Sequence, residues 1–305
     1  RPVTGHQLGH REDLHVDHIT VVDDLIYNNQ TSLYKHCLDK TFRFIKYDLR
    51  KLSDPILALE FDKLVLDRDY DFILPLAAMV GFPMCEKDRK AAWDINYNHV
   101  AYLVSHNLAM SKFIAPVSNS GYGIGDSDLC TEESPLRPVS VYGKTKVAAE
   151  RVILDSNGIS LRLATVFGPS FRPRTDLLVN DFVYKAVNDE PIVLFEAHFR
   201  RNYIHILDVC RAFAHCMFNF DSMKGQAYNV GLSSANVTKL ELAQLISTNV
   251  YGCEVVEVAG GKDPDKRDYI VSNAKLESTG WKPIFTLQKR INELIKAYKI
   301  IKRNS

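Results

Sequence analysis

Along this chain, short runs rich in Val, Ile and Phe alternate with stretches in which apolar residues recur every three or four positions. HITVVDD (18–24), TFRFIKYD (41–48), YDFILPLAA (70–78), KFIAPVS (112–118) and ISLRLATVFG (159–168) have the length and content of strands. Residues 88–109 and 139–157 carry helical periodicity between them. Strands alternating with helices predict βαβ units and an α/β fold, a doubly wound parallel sheet covered on both faces, with right-handed crossovers.

Beyond Gly168 the texture changes. FRPRTDLLVNDFVYKAV reads as a basic loop running into a helix, RNYIHILDVCRAFAHCMF as a strand then a helix, and AYNVGL as a short strand. Thr238 and Glu241 stand in capping-box spacing, opening a helix in VTKLELAQLI. TLQKRINELIKAYKIIK is an amphipathic helix that closes the chain. No repeat or low-complexity linker separates the two parts, so the second is expected to lie directly on the first.

At 305 residues the chain can bury a large core, and its 46% apolar and 25% charged composition is that of a globular protein. A net charge of +1 gives no reason to expect a nucleic-acid or membrane-surface partner. No apolar run approaches the roughly 20 residues of a membrane span, and no signal peptide is visible, so a cytoplasmic location is expected. The six cysteines (Cys37, Cys85, Cys130, Cys210, Cys216, Cys253) are scattered, lack a C-x-x-C pair and read as reduced thiols.

In an open parallel sheet, ligands bind outside the carboxyl ends of the strands. The second expected strand ends in Asp23, whose carboxylate could accept both ribose hydroxyls of an adenine nucleotide and would repel a 2′-phosphate, favouring NAD over NADP; a turn or cap aspartate is the plainer alternative. The next ends in Asp48, and the one after in the small-residue run LAAMVG, which suits either close cofactor approach or tight helix–sheet packing. KFIAPVS ends in SNSGYG, and some twenty residues later VYGKTK places Tyr142 and Lys146 four apart, on one helix face. A phenol titrates near ~10, too high for a base at neutral pH, and a neighbouring ammonium and a cationic nicotinamide would lower it. Y-x-x-x-K also occurs at Tyr47/Lys51 and Tyr298/Lys302, but only Tyr142 follows a strand ending in serine, Ser118, which could hold the substrate oxygen that loses its proton. His6 and His10, with His15 and His18 nearby, lack the tight ligand set of a zinc site, and no metal is expected.

VVDD, LPLAAMVG, SNSGYG, TEESPLRPVSVYGKTK, LRLATVFGP, RNYIHILDV and NAKLESTGWKP, in this order and over nearly the whole chain, resemble the extended short-chain dehydrogenase/reductase family of nucleotide-sugar epimerases and dehydratases. The resemblance implies a Rossmann-type sheet with a smaller C-terminal α/β substrate-binding domain: residues 1–167, with 203–233 returning to them, for NAD, and 168–202 with 234–305 for the nucleotide sugar. It implies Tyr142 as base, Lys146 on the nicotinamide ribose and tuning Tyr142, and Ser118 at the Ser/Thr position. Asp23 would hold the adenosine ribose, Asp48 and Leu49 the adenine, and Leu76, Ala77 and Ala78 the middle of the cofactor. Asn119 would contact the substrate, Asn180 its diphosphate, and Arg201 and Arg267 its phosphates, arginine offering forked, permanent donors. Arg172 and Arg174 read equally well as solvated surface pairs. A homodimer built through the Tyr142 helix is also implied.

One departure is large. The family opens with a strand and a G-x-x-G-x-x-G loop that sets a helix N-terminus against the dinucleotide diphosphate. Here only twelve residues, HQLGHREDLHVD, separate Gly5 from HITVVDD, and only Gly5 and Gly9 remain of the glycines. Either the loop and its helix are lost, or residues are missing between Gly5 and His18; the intact pattern downstream favours the second. The 4,6-dehydratases carry Asp-Glu after the Ser/Thr, whereas Asn119 and Ser120 stand here, which disfavours dehydration. SNSGYGIG, TEESPLRP, RLATVFG, LLVNDF and DPDKRDYIVSNAKLE look most like a bacterial branch that includes GDP-heptose 4-dehydrogenases. The expected function is NAD-dependent C4 oxidation of a nucleotide-linked hexose or heptose, with or without return as an epimer. A 4-keto-sugar reductase and a non-catalytic Rossmann-like binding module are the alternatives.

Overall fold

The computed structural model describes residues 16–65, 68–106, 111–123, 129–258 and 268–302. Gly5, Gly9, His6, His10, His15, Arg267 and most of the Gly5–His18 segment lie outside these residues.

The first strands, β1 (Ile19–Asp23) and β2 (Phe42–Lys46), pair in parallel, Val21 opposite Phe44. Helix α1 (Pro55–Val65) follows, and Ala58, Phe61 and Val65 on its buried face pack with Ile45, Tyr47 and Leu52. The four-stranded parallel sheet has the order β3 (Phe72–Ile73), β4 (Lys112–Ser118), β5 (Ile159–Leu163), β9 (Ala227–Val230). Its connections are helical. Helix α2 (Phe82–Lys87) precedes α3 over residues 89–105, in which a π-helical turn, Asp94–Asn98, separates Arg89–Trp93 from His99–Ser105. Helix α4 (Val141–Asp155) links β4 to β5.

Two strand expectations are corrected. YDFILPLAA supplies only Phe72–Ile73, because Pro75 has no N–H for a ladder and the Leu76 N–H turns back to the Leu74 carbonyl at 2.9 Å. ISLRLATVFG is two strands in two sheets. The Ala164 N–H still bonds the Val230 carbonyl of β9, after which β6 (Thr165–Phe167) pairs with β8 (Arg200–His205). Strand β8 also takes β10 (Asn236–Thr238) on its other edge, antiparallel. At the end of β6, Gly168 has φ +129°, and a Cβ there would lie 2.6 Å from the His205 ring, so glycine makes this turn possible.

The C-terminal part contains α5 (Leu178–Val187), the parallel pair β7 (Ile192–Leu194) and β11 (Val255–Glu257), α6 (Ile206–Phe218), α7 (Lys239–Ser247) and α8 (Leu287–Ile301). Thr238 and Glu241 form the expected capping box at α7. Helices α5 and α8 share a core through Val179, Phe182, Val183, Ile291, Leu294 and Ile295. Among the described residues no helix is long and apolar enough to cross a membrane.

A buried polar network fixes α4 to the sheet. Glu150 of α4 takes Arg162 of β5 through Nε at 3.0 Å and Nη2 at 2.7 Å, and accepts from Ser160 Oγ at 2.7 Å. Arg162 also donates to Tyr122 Oη at 3.0 Å, and Tyr122 donates to Asn229 Oδ1 of β9 at 2.7 Å. Burial opposes the Arg162 cation, but the Glu150 hydrogen bonds and charge outweigh it and hold the guanidinium protonated. Removing one member of such a pair strands the other. Glu150→Ala is therefore expected to cost about 3–5 kcal/mol in chemical denaturation; a loss below about 1 kcal/mol would show that water reaches Arg162.

Candidate active site

Helix α4 starts after Pro138, with Ser140 as its cap: Ser140 Oγ accepts from Gly143 N at 3.1 Å, and Val141 N donates to Glu86 Oε1 of α2 at 3.1 Å. Gly143 is pressed between Pro138 and the Ser120 carbonyl; a Cβ there would come within 2.9 Å and 3.2 Å of them. The first turn of α4, which carries Tyr142, therefore sits on the SNSGYG turn that follows β4. Ser118 caps that turn, its Oγ accepting from Ser120 N at 3.1 Å.

Thr145 donates to the Tyr142 carbonyl at 2.9 Å and accepts from Asn96 Nδ2 at 3.0 Å. Asn96 also binds both polar groups of the Met79 backbone, at 2.8 Å (N) and 3.0 Å (O). One buried carboxamide in the π-helical turn thus ties the LAAMVG segment to the Tyr142 helix. Sequence reasoning missed Asn96, because an asparagine in a helix interior carries no local signal for such long-range bonds.

Lys146, one turn beyond Tyr142, is buried, and no ion pair to it is recorded among the described residues. Burial pushes its ammonium down to about 8. Near it, burial pushes the Cys85 thiol up to about 11, and its Sγ donates to the Met79 carbonyl at 3.2 Å. Burial, helped by the Lys146 charge, pushes His99 down to about 4. A buried ammonium surrounded by neutral groups fits the hydroxyls of a ribose, which satisfy its donors without charge.

The other Tyr–Lys pairs are used structurally. Tyr47 is buried, donates to the Leu57 carbonyl at 2.8 Å, and burial raises its phenol. Tyr298 is buried with its phenol pushed up to about 12, while Lys302 pairs with Asp189.

On the cofactor side, Asp23 Oδ1 accepts from Leu25 N at 2.6 Å, a turn role that leaves Oδ2 without a recorded partner among the described residues. Asp48 caps a 3₁₀ turn and is forked by Arg50 through Nε and Nη2, the latter at 2.7 Å, so an adenine contact through this carboxylate would compete with Arg50. Leu49 packs against the β2–α1 core. Leu76 is exposed, and Ala77 and Ala78 are half-buried, on the irregular segment after β3.

Ser118, Asn119, Thr165, Arg201, Asn202 and Tyr269 line a cavity of about 40 Å³ beyond the ends of β4 and β5. Asn119 and Arg201 are both buried, and neither polar atom of the Asn119 carboxamide has a partner among the described residues. Arg201 Nη1 donates to the Arg200 carbonyl at 3.0 Å. Asn180 is buried at the start of α5 and its Oδ1 accepts from Gly168 N at 3.2 Å, so Nδ2 is the half of the amide able to meet a diphosphate. The structure brings Ser118, Asn119 and Arg201 together and sets Tyr142 and Lys146 on the adjoining helix.

With this geometry in place, residues 5–231 match the profile of the NAD dependent epimerase/dehydratase family. The chain belongs to that family. It is 24% identical over 298 residues to the low-salt glycan biosynthesis protein Agl12 of Haloferax volcanii, covering 92% of this chain and 90% of that protein. Its fold is shared with the dTDP-glucose 4,6-dehydratase DesIV of Streptomyces venezuelae, solved with NAD (TM-score 0.78, 23% identity, 94% of this chain and 89% of the other). It is shared equally with UDP-glucuronic acid 4-epimerase of Bacillus cereus, solved with UDP-glucuronic acid and NAD (TM-score 0.78, 21% identity, 93% and 91%). The two solved structures are named for dTDP- and UDP-linked sugars; the likeness to a GDP-heptose branch rests on short sequence runs alone.

The buried cations set a pH dependence. The Lys146 value in the fold lies below its ordinary 10.5, so its contribution to stability is complete above about 10.5 and is lost as pH falls through 8. At pH 7 the cofactor-free protein carries the full penalty. Lys146→Met is expected to raise its stability there by on the order of 1–3 kcal/mol while abolishing turnover; destabilisation at pH 7 would mean that the ammonium is paired.

Proposed function

We propose that this protein oxidises the C4 hydroxyl of a nucleotide-linked sugar, as a 4-dehydrogenase or a 4-epimerase. The observation that supports it best is Lys146: a buried ammonium with no recorded carboxylate partner among the described residues, one turn from Tyr142 on a helix whose start packs on the turn that Ser118 caps. NAD, when bound, supplies the hydride acceptor. Ser118 Oγ orients the sugar hydroxyl, Tyr142 Oη takes its proton, and Lys146 holds the nicotinamide ribose and favours the phenolate. Residues 1–167 and 203–233 hold NAD in this reading, with Asp23 on the adenosine ribose. Residues 168–202 and 234–305 hold the sugar nucleotide, through Asn180 and Arg201.

Asn119 and Ser120 argue against dehydration. Both are buried and neither ionises near neutral pH, so the site has no acid–base pair for loss of water at those positions. The unpartnered Asn119 amide instead suits a hydroxyl-bearing substituent of the sugar. The nucleotide remains open to assay; GDP rests on sequence resemblance. Phe82, Met84 and Trp93, exposed on α2 and α3 beside α4, suit a homodimer.

Denaturing the purified protein is expected to release NAD. UDP-, dTDP- and GDP-linked hexoses and a GDP-heptose, each assayed for reduced nicotinamide and for product by NMR, separate the two outcomes: a dehydrogenase accumulates the reduced cofactor and an epimerase does not. Tyr142→Phe is expected to lower turnover by about 10²–10⁴-fold with an unchanged melting temperature. A Tyr142→Phe protein that turns over at the wild-type rate would remove Tyr142 as the base, and NAD bound with no sugar nucleotide converted would leave the binding-module reading standing instead.

A further inference from the structure

The cavity beyond the ends of β4 and β5 has room for a few water-sized groups, enough for what projects from a sugar ring. Its polar lining comes from the hydroxyl residues Ser118, Thr165 and Tyr269, the amide residues Asn119 and Asn202, and Arg201. Among the described residues no carboxylate or imidazole lines it. Most of these groups are already engaged. Ser118 Oγ accepts from Ser120 N at 3.1 Å, and Arg201 Nη1 donates to the Arg200 carbonyl at 3.0 Å. Asn202 gives Nδ2 to the Leu232 carbonyl at 2.9 Å, and its Oδ1 fills the space where a side chain on Gly231 would stand. Tyr269 packs edge-on against Tyr122, with ring centres 6.1 Å apart.

Asn119 differs. It is 3% exposed, and both Nδ2 and Oδ1 are buried without a partner among the described residues. An amide shut away from water is costly unless something meets both of its halves. Its backbone is held in place. Asn119 opens the 3₁₀ turn Asn119–Tyr122, which Ser118 caps and whose Tyr122 is gripped by Arg162 and Asn229. A Cβ on Gly121 would come 3.1 Å from Val147 of α4, so the turn is closely packed as well. The group that completes Asn119 must both accept and donate, and a neutral hydroxyl does both through one atom. A carboxylate only accepts: it would suit Nδ2 and Arg201 but set its charge against Oδ1. A methyl group would leave both halves of the amide unpaired.

We infer that Asn119 is the specificity-determining residue of this site and takes a neutral hydroxyl on a carbon that flanks C4. Nδ2 donates to the hydroxyl oxygen, and Oδ1 accepts from its O–H. This rests on the proposed function, in which Ser118 holds the C4 hydroxyl; the groups next to that position on a pyranose are the C3 hydroxyl and the exocyclic carbon on C5. The substrate class is then nucleotide sugars hydroxylated at one of these two places. Uronates and the corresponding deoxy sugars are discriminated against.

The test uses NAD-loaded protein and a nucleotide sugar that it converts, with the 3-deoxy, 6-deoxy and 6-carboxylate counterparts on the same nucleotide. One of the deoxy compounds is expected to lose about 10–100-fold in kcat/KM, and which one it is identifies the hydroxyl; the uronate should lose at least as much. Asn119→Leu should remove the discrimination. The parent sugar falls to the level of the deoxy compound, whose own kcat/KM stays within about threefold of its wild-type value. Should Asn119→Leu fail to fold, Asn119→Ala carries the same comparison. Wild-type protein that converts the parent and both deoxy compounds equally overturns the inference, as does a uronate converted as well as the parent. A variant that loses equally on parent and deoxy sugar also overturns it, because Asn119 then only shapes the turn. NAD bound with no sugar nucleotide converted is a different failure: it removes the proposed function, and the inference falls with it.

Discussion

The Glu150–Arg162 pair is the constraint on which the site depends. Two charges removed from water gain little over an apolar pair in stability, but their forked geometry permits one arrangement only. Glu150 lies on α4 one turn beyond Lys146, so fixing its carboxylate on β5 fixes the rotation of the helix and with it the direction of Lys146 and Tyr142. Arg162 then reaches Tyr122 in the SNSGYG turn, and Tyr122 reaches Asn229 on β9. Two strands of the sheet and the turn that follows Ser118 are thereby referred to one buried ion pair.

Inside that frame, the buried Lys146 ammonium is left with no recorded ion pair among the described residues. Cys85, Asn96, Thr145 and His99 are all buried around Lys146, and none is a carboxylate. A neutral surround costs stability in the absence of ligand and makes the pocket receptive to hydroxyls. This is the usual exchange at a functional site, where local polar satisfaction yields to chemistry. Asn96 shows the opposite arrangement nearby: its amide is spent on holding Met79 and Thr145 in place.

Much of this was legible in the chain itself. Period and residue type located β1, β2, β4, α4, α7 and α8 to within a few residues, and the Ser118 strand end singled out one Tyr–Lys pair from three. What escaped was governed by contacts distant in sequence. The run 159–168 looks like one strand because its apolar content is continuous; the change of sheet at Ala164 is decided by β8, some forty residues later. His99 resembles any polar residue in an amphipathic helix until α4 covers it. Arg172 reads as a solvated arginine because nothing local reveals that the ring of Tyr27, far upstream, lies under its guanidinium.

The π-helical turn at Asp94–Asn98 has an evolutionary corollary. Such a turn is a helix carrying one residue more than its hydrogen-bond pitch accommodates, and each residue advances a regular helix by about 100°. With the extra residue absorbed there, Asn96 faces Met79 and Thr145 while His99, beginning the next regular turn, stands beside Lys146. Loss of a single codon in the regular turns of α3 would rotate everything downstream of it by roughly a quarter-turn, and loss within the π-helical turn would remove the bulge that aims Asn96. Lineages of this chain should therefore vary by substitution along α3 and hardly ever by length.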